Sequence, residues 1–319
     1  LHELNIDFMP ITSLEPLRGM PLRELGMTGT GVTDLEPLRD MNLKVLGIDN
    51  VEPSSLAPLA GMPITILNMN DCGIEDISHL KGMPLRHLKC RMNTIRSLTA
   101  LQGAPLEELH IDKNEVHDLS PLAGAPLRVL RVRENPLQSL KPFEDNPPRR
   151  TVFDTVTAGP DYVESVLERW QRTGHTLSAR LSRIALALRR GNTEALRRLA
   201  VAHQGHRYLY IAEWCGFEEA RKAAEDLGGH LVTITSEEES RFVYSLMPGA
   251  ERAWIGIDPS AKPVRWLTGE PLTFKNFAPR GPRKRSVGAY IISGWGVNAN
   301  WMNAVDKVLH CNFIVEWDY

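Results

Sequence analysis

The sequence predicts a multidomain chain. An α/β solenoid of short repeats covers residues 1–147, a helical connector covers 148–204 and an α+β domain covers 205–319. Three observations carry that division. Leu1, Leu22, Leu43, Ile64, Leu85, Leu106 and Leu127 recur at a strict period of twenty-one residues. The stretch EDNPPRRTVFD ends the period, and apolar residues at helical spacing replace it. From Gly205 the pattern changes again, to two helices and short strands separated by long polar loops. At 319 residues the chain exceeds one ordinary core, which agrees with two or three domains. Its formal net charge of −2 supports neither broad attraction to nucleic acid nor a strongly acidic partner. No apolar run reaches the roughly eighteen residues of a membrane-spanning helix.

In the solenoid, Leu4, Leu25, Leu46, Leu67, Leu88, Leu109 and Leu130 follow each first position by three residues. Ile6, Met27, Ile48, Met69, Cys90, Ile111 and Val132 follow two further on. This L-x-x-L-x-I unit is a short strand, and the S/D-L-x-P-L segment after it is a tight turn of helix. Asp34, Asp76 and Asp118, or a serine elsewhere, precede that turn and suit an N-cap. No unit buries its apolar edge alone, so neighbouring units must stack. The pattern resembles the leucine-rich repeat family in seven registered copies. Cys72 and Cys90 fall at core positions of the repeat, which predicts buried packing roles. Outward strand residues line a concave face whose charge drifts along the chain. Glu3, Asp7, Glu24 and Asp49 come early; Lys89, Arg91, His110, Arg131 and Arg133 come late. Complementary charge on such a face steers a protein partner, so Glu24, Asp49, Lys89, Arg91, His110, Arg131 and Arg133 are candidate docking residues.

In the connector, Val163, Val166, Leu167 and Trp170 form one amphipathic face, and Leu177, Leu181, Ile184 and Leu188 form another. Gly191-Asn192 breaks the pattern, and TEALRRLAVAH predicts a third short helix. Every Lys/Arg position from Arg149 to Arg198 is arginine. The expectation is a set of helices capping the open end of the solenoid, with the arginines on the wet side.

In the last segment, Gly228-Gly229 predicts a helix C-cap, and Ser236 with Glu239 has the spacing of a capping box opening the next helix. The order Gly205-His206-x-Tyr208, Phe217 through Ala220, Gly228-Gly229-His230-Leu231, Trp254-Ile255-Gly256-Ile257 and Phe313-Ile314-Val315-Glu316 resembles the C-type lectin-like family. That resemblance implies a disulfide between positions occupied here by Ala224 and Val315, which predicts an apolar contact instead and a thiol-reducing, cytoplasmic setting. Cys215 and Cys311 do not take the vacated positions, and the sequence leaves open whether they meet. The resemblance also implies a calcium site built from Glu-Pro-Asn and Trp-Asn-Asp. Gly281-Pro282-Arg283 and Trp301-Met302-Asn303 stand there instead. Calcium takes about six to eight oxygens, several from carboxylates. Arg280, Arg283, Lys284 and Arg285 make the loop cationic, so no metal or cofactor is expected there. The basic rim with Trp295, Asn298 and Asn300 is the second candidate binding face, while Trp301 is expected to pack inside.

Catalysis has no foothold in the sequence. His230 reads as a strand residue, and His310-Cys311 are adjacent in a strand and point to opposite faces. No phosphate-binding loop or nucleophile elbow occurs. The expectation is a non-catalytic recognition protein that docks a protein partner through the concave face and the basic loop face. The alternatives are a calcium-independent carbohydrate-binding lectin, and an anion or nucleic-acid binder using the arginine-rich connector. Repeats joined to a lectin-like domain also resemble accessory regions of large bacterial signalling proteins of planctomycete-like organisms. Because the chain starts inside a repeat, the expectation is a piece of a longer protein.

Overall fold

The computed structural model describes residues 2–247, 252–258, 261, 263, 265–273, 288–292, 301–304 and 311–318. Contacts divide the chain into two compact units, Leu1–Leu186 and Ala187–Tyr319.

The first unit is built on eight three-residue strands. They are β1 (Glu3–Asn5), β2 (Glu24–Gly26), β3 (Val45–Gly47), β4 (Ile66–Asn68), β5 (His87–Lys89), β6 (Glu108–His110), β7 (Val129–Arg131) and β8 (Arg150–Val152). They pair in parallel and in sequence order, each residue opposite the one twenty-one positions on, as Leu25 with Leu46 and Leu88 with Leu109. The middle residue of the strand points inward, and Leu25, Leu46, Leu67, Leu88, Leu109 and Leu130 are buried. The turn after each of the first seven strands is 3-10 rather than α, as at Glu36–Leu38 and Ser120–Leu122. Three residues close one such turn and cannot close an α-turn pattern. Asp34, Asp76 and Asp118 each accept the backbone N–H two residues on, from Glu36, Ser78 and Ser120. They act as Asx-turns one residue before the helix cap, not as the cap itself.

A buried asparagine ladder ties the later coils together. Asn93 Oδ1 accepts the N–H groups of Cys72 and Ile74, while its amide donates to the carbonyls of Met69 and Cys90. Asn114 and Asn135 repeat the pattern one and two coils on. Cys72 holds the same place one coil earlier, its thiol 3.0 Å from the Ile48 carbonyl. Burial pushes the Cys72 thiol up to about 12 and raises that of Cys90 as well, so both behave as small apolar side chains.

Helices α1 (Pro160–Arg172) and α2 (Thr176–Arg189) close the end of the solenoid. Val163, Val166, Leu167 and Trp170 join the solenoid core, and the Trp170 indole donates to the Phe143 carbonyl at 3.0 Å. Two serines of α2 satisfy the edge strand. Ser178 Oγ accepts the Thr151 N–H, and Ser182 Oγ donates to the Thr151 carbonyl. An unpaired sheet edge is thereby covered without another strand.

The second unit begins with helix α3 (Thr193–Leu199), capped by the Asn192 side chain, which accepts the Ala195 N–H. The third helix expected through His203 stops at Leu199. Residues Val201–His203 form β9 instead, paired with β10 (His206–Cys215) through a two-residue turn. Gln204 and Gly205 both have positive φ, the requirement of a tight hairpin.

Helix α4 (Phe217–Asp226), β11 (His230–Leu231) and helix α5 (Glu237–Leu246) follow. The remaining strands are β12 (Arg252–Ile255), β13 (Ile257–Asp258), β14 (Arg265–Trp266), β15 (Gly288–Ile292), β16 (Trp301–Ala304) and β17 (Cys311–Asp318). A seven-stranded sheet runs β16-β15-β12-β17-β10-β9, with β11 also paired to β17. Strand β17 is its centre, and Cys311 through Trp317 are all buried.

Gly228 is left-handed at φ 72°, as a helix C-cap requires. Gly229 serves another purpose. A Cβ there would lie 2.5 Å from the Glu316 carbonyl oxygen and 2.9 Å from Val315 Cγ1, so only glycine lets the chain lie this close to β17. Ala224 and Val315 are both fully buried, and α4 packs on β17 where the family resemblance implied a disulfide. The capping box at α5 is half formed. Ser236 Oγ accepts the Glu239 N–H, but the Glu239 carboxylate turns to Thr235 and to the Tyr208 hydroxyl.

Candidate functional site

Stacking at a twenty-one-residue register sorts the outward strand residues into columns. One column holds Glu3, Glu24, Val45, Ile66, His87, Glu108, Val129 and Arg150. A second, just past the strand ends, holds Asp7, Thr28, Asp49, Asn70, Arg91, Asp112, Arg133 and Asp154. In this second column the polar side chains bind backbone of the next coil. Asp7 accepts the Thr28 N–H, Asp49 the Asn70 N–H, Asn70 the Arg91 N–H and Asp112 the Arg133 N–H. Asp49 thus has a structural task in addition to any docking task. Its burial pushes its carboxyl up, against the hydrogen bonds from Asn70.

The two halves of this face differ. Glu3 and Glu24 are exposed and lie opposite each other across β1 and β2. Arg91, His110, Arg131 and Arg133, expected as outward docking residues, are instead buried, at 3%, 3%, 2% and 6% exposure. They sit within an ionic network. Asp112 Oδ2 lies 3.3 Å from Arg91 Nε and 3.1 Å from Arg131 Nε, and Asp154 lies 3.6 Å from Arg133 Nε. Glu108 lies 3.0 Å from His110 Nε2 and 3.2 Å from Lys89 Nζ.

Burial opposes the Asp112 charge, but the Arg131 and Arg91 guanidinium groups outweigh it and hold the carboxyl below its ordinary range. Burial and the neighbouring Arg91 charge push His110 down to about 3, against the pull of Glu108, so the ring is neutral. A neutral ring with Nε2–H toward Glu108 leaves Nδ1 to accept from Arg91, which is the contact present. Asp112, Asp154 and Glu108 were not singled out from the sequence, although the period reaches two of them. Arg91 and Asp112, like Arg133 and Asp154, are twenty-one residues apart.

In the second unit, the candidates Arg280, Arg283, Lys284, Arg285, Trp295, Asn298 and Asn300 lie outside the described residues, as does His310. Trp301, Met302 and Asn303 lie on β16, opposite Ile291, Tyr290 and Ala289 of β15. Cys215 and Cys311 do meet. They are directly opposite across β10 and β17, with Cys215 Sγ 3.8 Å from the Cys311 carbonyl. Both are buried free thiols. At the other end of β17, His206, Glu316 and Asp318 bring ligand-type atoms within 4.8 Å of one another, a grouping that sequence spacing could not reveal.

Comparison with known proteins agrees with both halves. The Lectin C-type domain matches residues 215–310. Asialoglycoprotein receptor 1 of Rattus norvegicus is 34% identical over 84 residues, covering 26% of this chain and 29% of the receptor. Snaclec botrocetin subunit beta of Bothrops jararaca is 29% identical over 83 residues, covering 24% of this chain and 66% of that one. An internalin (inlF) of Listeria monocytogenes shares the fold at a TM-score of 0.50 and 22% identity, over 56% of this chain and 53% of that one. The chain spans under a third of the rat receptor's length. Residues 215–310 are thus similar to a C-type lectin domain, and the first unit shares the solenoid fold of an internalin. No helix among the described residues is long and apolar enough to cross a membrane.

Proposed function

We propose that the chain is a non-catalytic, calcium-independent recognition protein that docks a protein partner on the concave face of its solenoid. One observation carries this reading. Glu3 and Glu24 are exposed, directly opposite on neighbouring strands, and without a basic partner among the described residues. Like charges placed opposite one another weaken a sheet, so their presence favours a role toward a basic partner. With Arg91, His110, Arg131 and Arg133 buried, the acidic early coils are the docking surface, extended by Asp49. The cationic loop of Arg280, Arg283, Lys284 and Arg285 with Trp295 is the second proposed surface. We extend the reading to an interaction region of a larger bacterial signalling protein in a thiol-reducing compartment. The free buried thiols Cys215 and Cys311 and the apolar pair Ala224 and Val315 support that compartment.

The test is capture of a partner by the full chain, followed by titration against variants. Glu3→Lys with Glu24→Lys is expected to weaken binding at least about tenfold, the size of a few lost charge contacts. Glu168→Lys on the exposed side of α1 is expected to leave it unchanged. The lectin domain supports a second reading, calcium-independent carbohydrate binding. A glycan-array signal abolished by Trp295→Ala would establish it over protein docking. Binding that falls steeply with salt for any polyanion would instead favour the arginine-rich connector.

A further inference from the structure

We propose that His206, Glu316 and Asp318 form a binding site for a divalent transition-metal ion of the zinc type. The site owes its existence to strand register. Glu316 and Asp318 are two residues apart on β17 and therefore share one face of the sheet. His206 stands opposite Asp318 on β10, and His230 stands opposite Glu316 on β11. Two strands thus bring one imidazole and two carboxylates within 4.8 Å of one another, with the His230 ring beside Asp318.

The distances suit one small ion. His206 Nδ1 is 2.8 Å from Asp318 Oδ1 and 3.1 Å from Glu316 Oε1, and His230 Nε2 is 3.3 Å from Asp318 Oδ2. Zinc held at its usual bond lengths to nitrogen and oxygen sets its tetrahedral ligands about 3.3 Å apart. The donors therefore need to spread by only a few tenths of an ångström. Borderline nitrogen and oxygen donors in this mixture suit zinc and its neighbours better than calcium, which takes oxygen alone.

The surroundings are those of a prepared site. His230 Nδ1 lies 3.0 Å from the Leu231 carbonyl and its Nε2 lies 3.3 Å from Asp318 Oδ2, so the ring holds that carboxylate in place. Outer groups that hold a ligating carboxylate are the usual support of a metal site. Glu316 is 1% exposed, and its Oε2 accepts both the N–H and the hydroxyl of Thr233 at 2.8 and 2.9 Å. Its other oxygen is left facing His206. The exposed positions of His206 and Asp318 leave the ion a route in.

The experiment is zinc titration of the metal-free full chain by calorimetry, with X-ray absorption at the zinc edge on the loaded protein. One ion per chain is expected, bound through nitrogen and oxygen with one imidazole and no sulfur. His206→Asn and Asp318→Asn alter exposed side chains and leave the fold intact, and each is expected to weaken binding about tenfold or more. A rise in Tm with zinc should vanish in the double variant. Absence of saturable zinc binding would overturn the proposal. So would sulfur in the coordination shell, or zinc affinity unchanged in the double variant.

Discussion

His110 is a buried ring beside Arg91, and its neutrality has a measurable cost in acid. Unfolded, it titrates near 6.5; folded, it takes no proton until about pH 3. Below pH 6.5 the unfolded chain binds a proton that the folded chain refuses, so stability is full above that pH and falls as pH drops toward 3. The slope approaches about 1.4 kcal/mol per pH unit, or about 2 kcal/mol between pH 7 and pH 5. Urea unfolding of the solenoid at the two pH values should show that loss, and His110→Gln should remove it. Gly229 is a second single-residue test. Its added methyl would meet the Glu316 carbonyl, which is backbone and cannot step aside. Gly229→Ala is expected to destabilise the second unit by about 1–3 kcal/mol or more, read as a fall in its Tm. The sequence marked Gly228-Gly229 as a helix end, and that holds for Gly228. What Gly229 does was hidden, because the approach of β17 comes from residues almost ninety positions away.

At the level of elements, the asparagine ladder makes a sharper prediction than the apolar core. Asn114 serves the Ile95 N–H and the carbonyls of Cys90 and Ile111. Asn114→Ala leaves these buried groups without a partner, at about 1–3 kcal/mol for each group that finds no replacement. Hydrogen exchange should show the Ile95 amide losing protection in that variant, while the Val116 amide, held by Asn135, changes less. The strands, the stacking and the helical cap were legible because apolar residues repeat with period and side-chain pitch. The buried ion pairs are legible in the same period, carried by charged residues rather than by Leu and Ile. Arg91 with Asp112 and Arg133 with Asp154 follow the same spacing as Leu88 with Leu109. The two serines of α2 carried no such signal. Hydroxyls on a helix face become edge-strand partners only when the packing of that helix is known. The cluster of His206, Glu316 and Asp318 is equally unreadable, since two strands distant in sequence meet there.

At the scale of the whole molecule, two compact units call for two transitions, so stability effects of His110 and Asn114 belong to the first and those of Gly229 to the second. The account rests on recognition without calcium. Residues 215–310 match the Lectin C-type domain, while the positions that the family resemblance assigns to calcium hold Gly281, Arg283 and Met302. The measurement that bears most directly on this is calcium titration of the full chain by calorimetry, with thermal unfolding in chelator and in excess calcium. The account predicts no saturable heat and the same two transition temperatures in both conditions. Stoichiometric calcium binding with a raised transition for the second unit would contradict it.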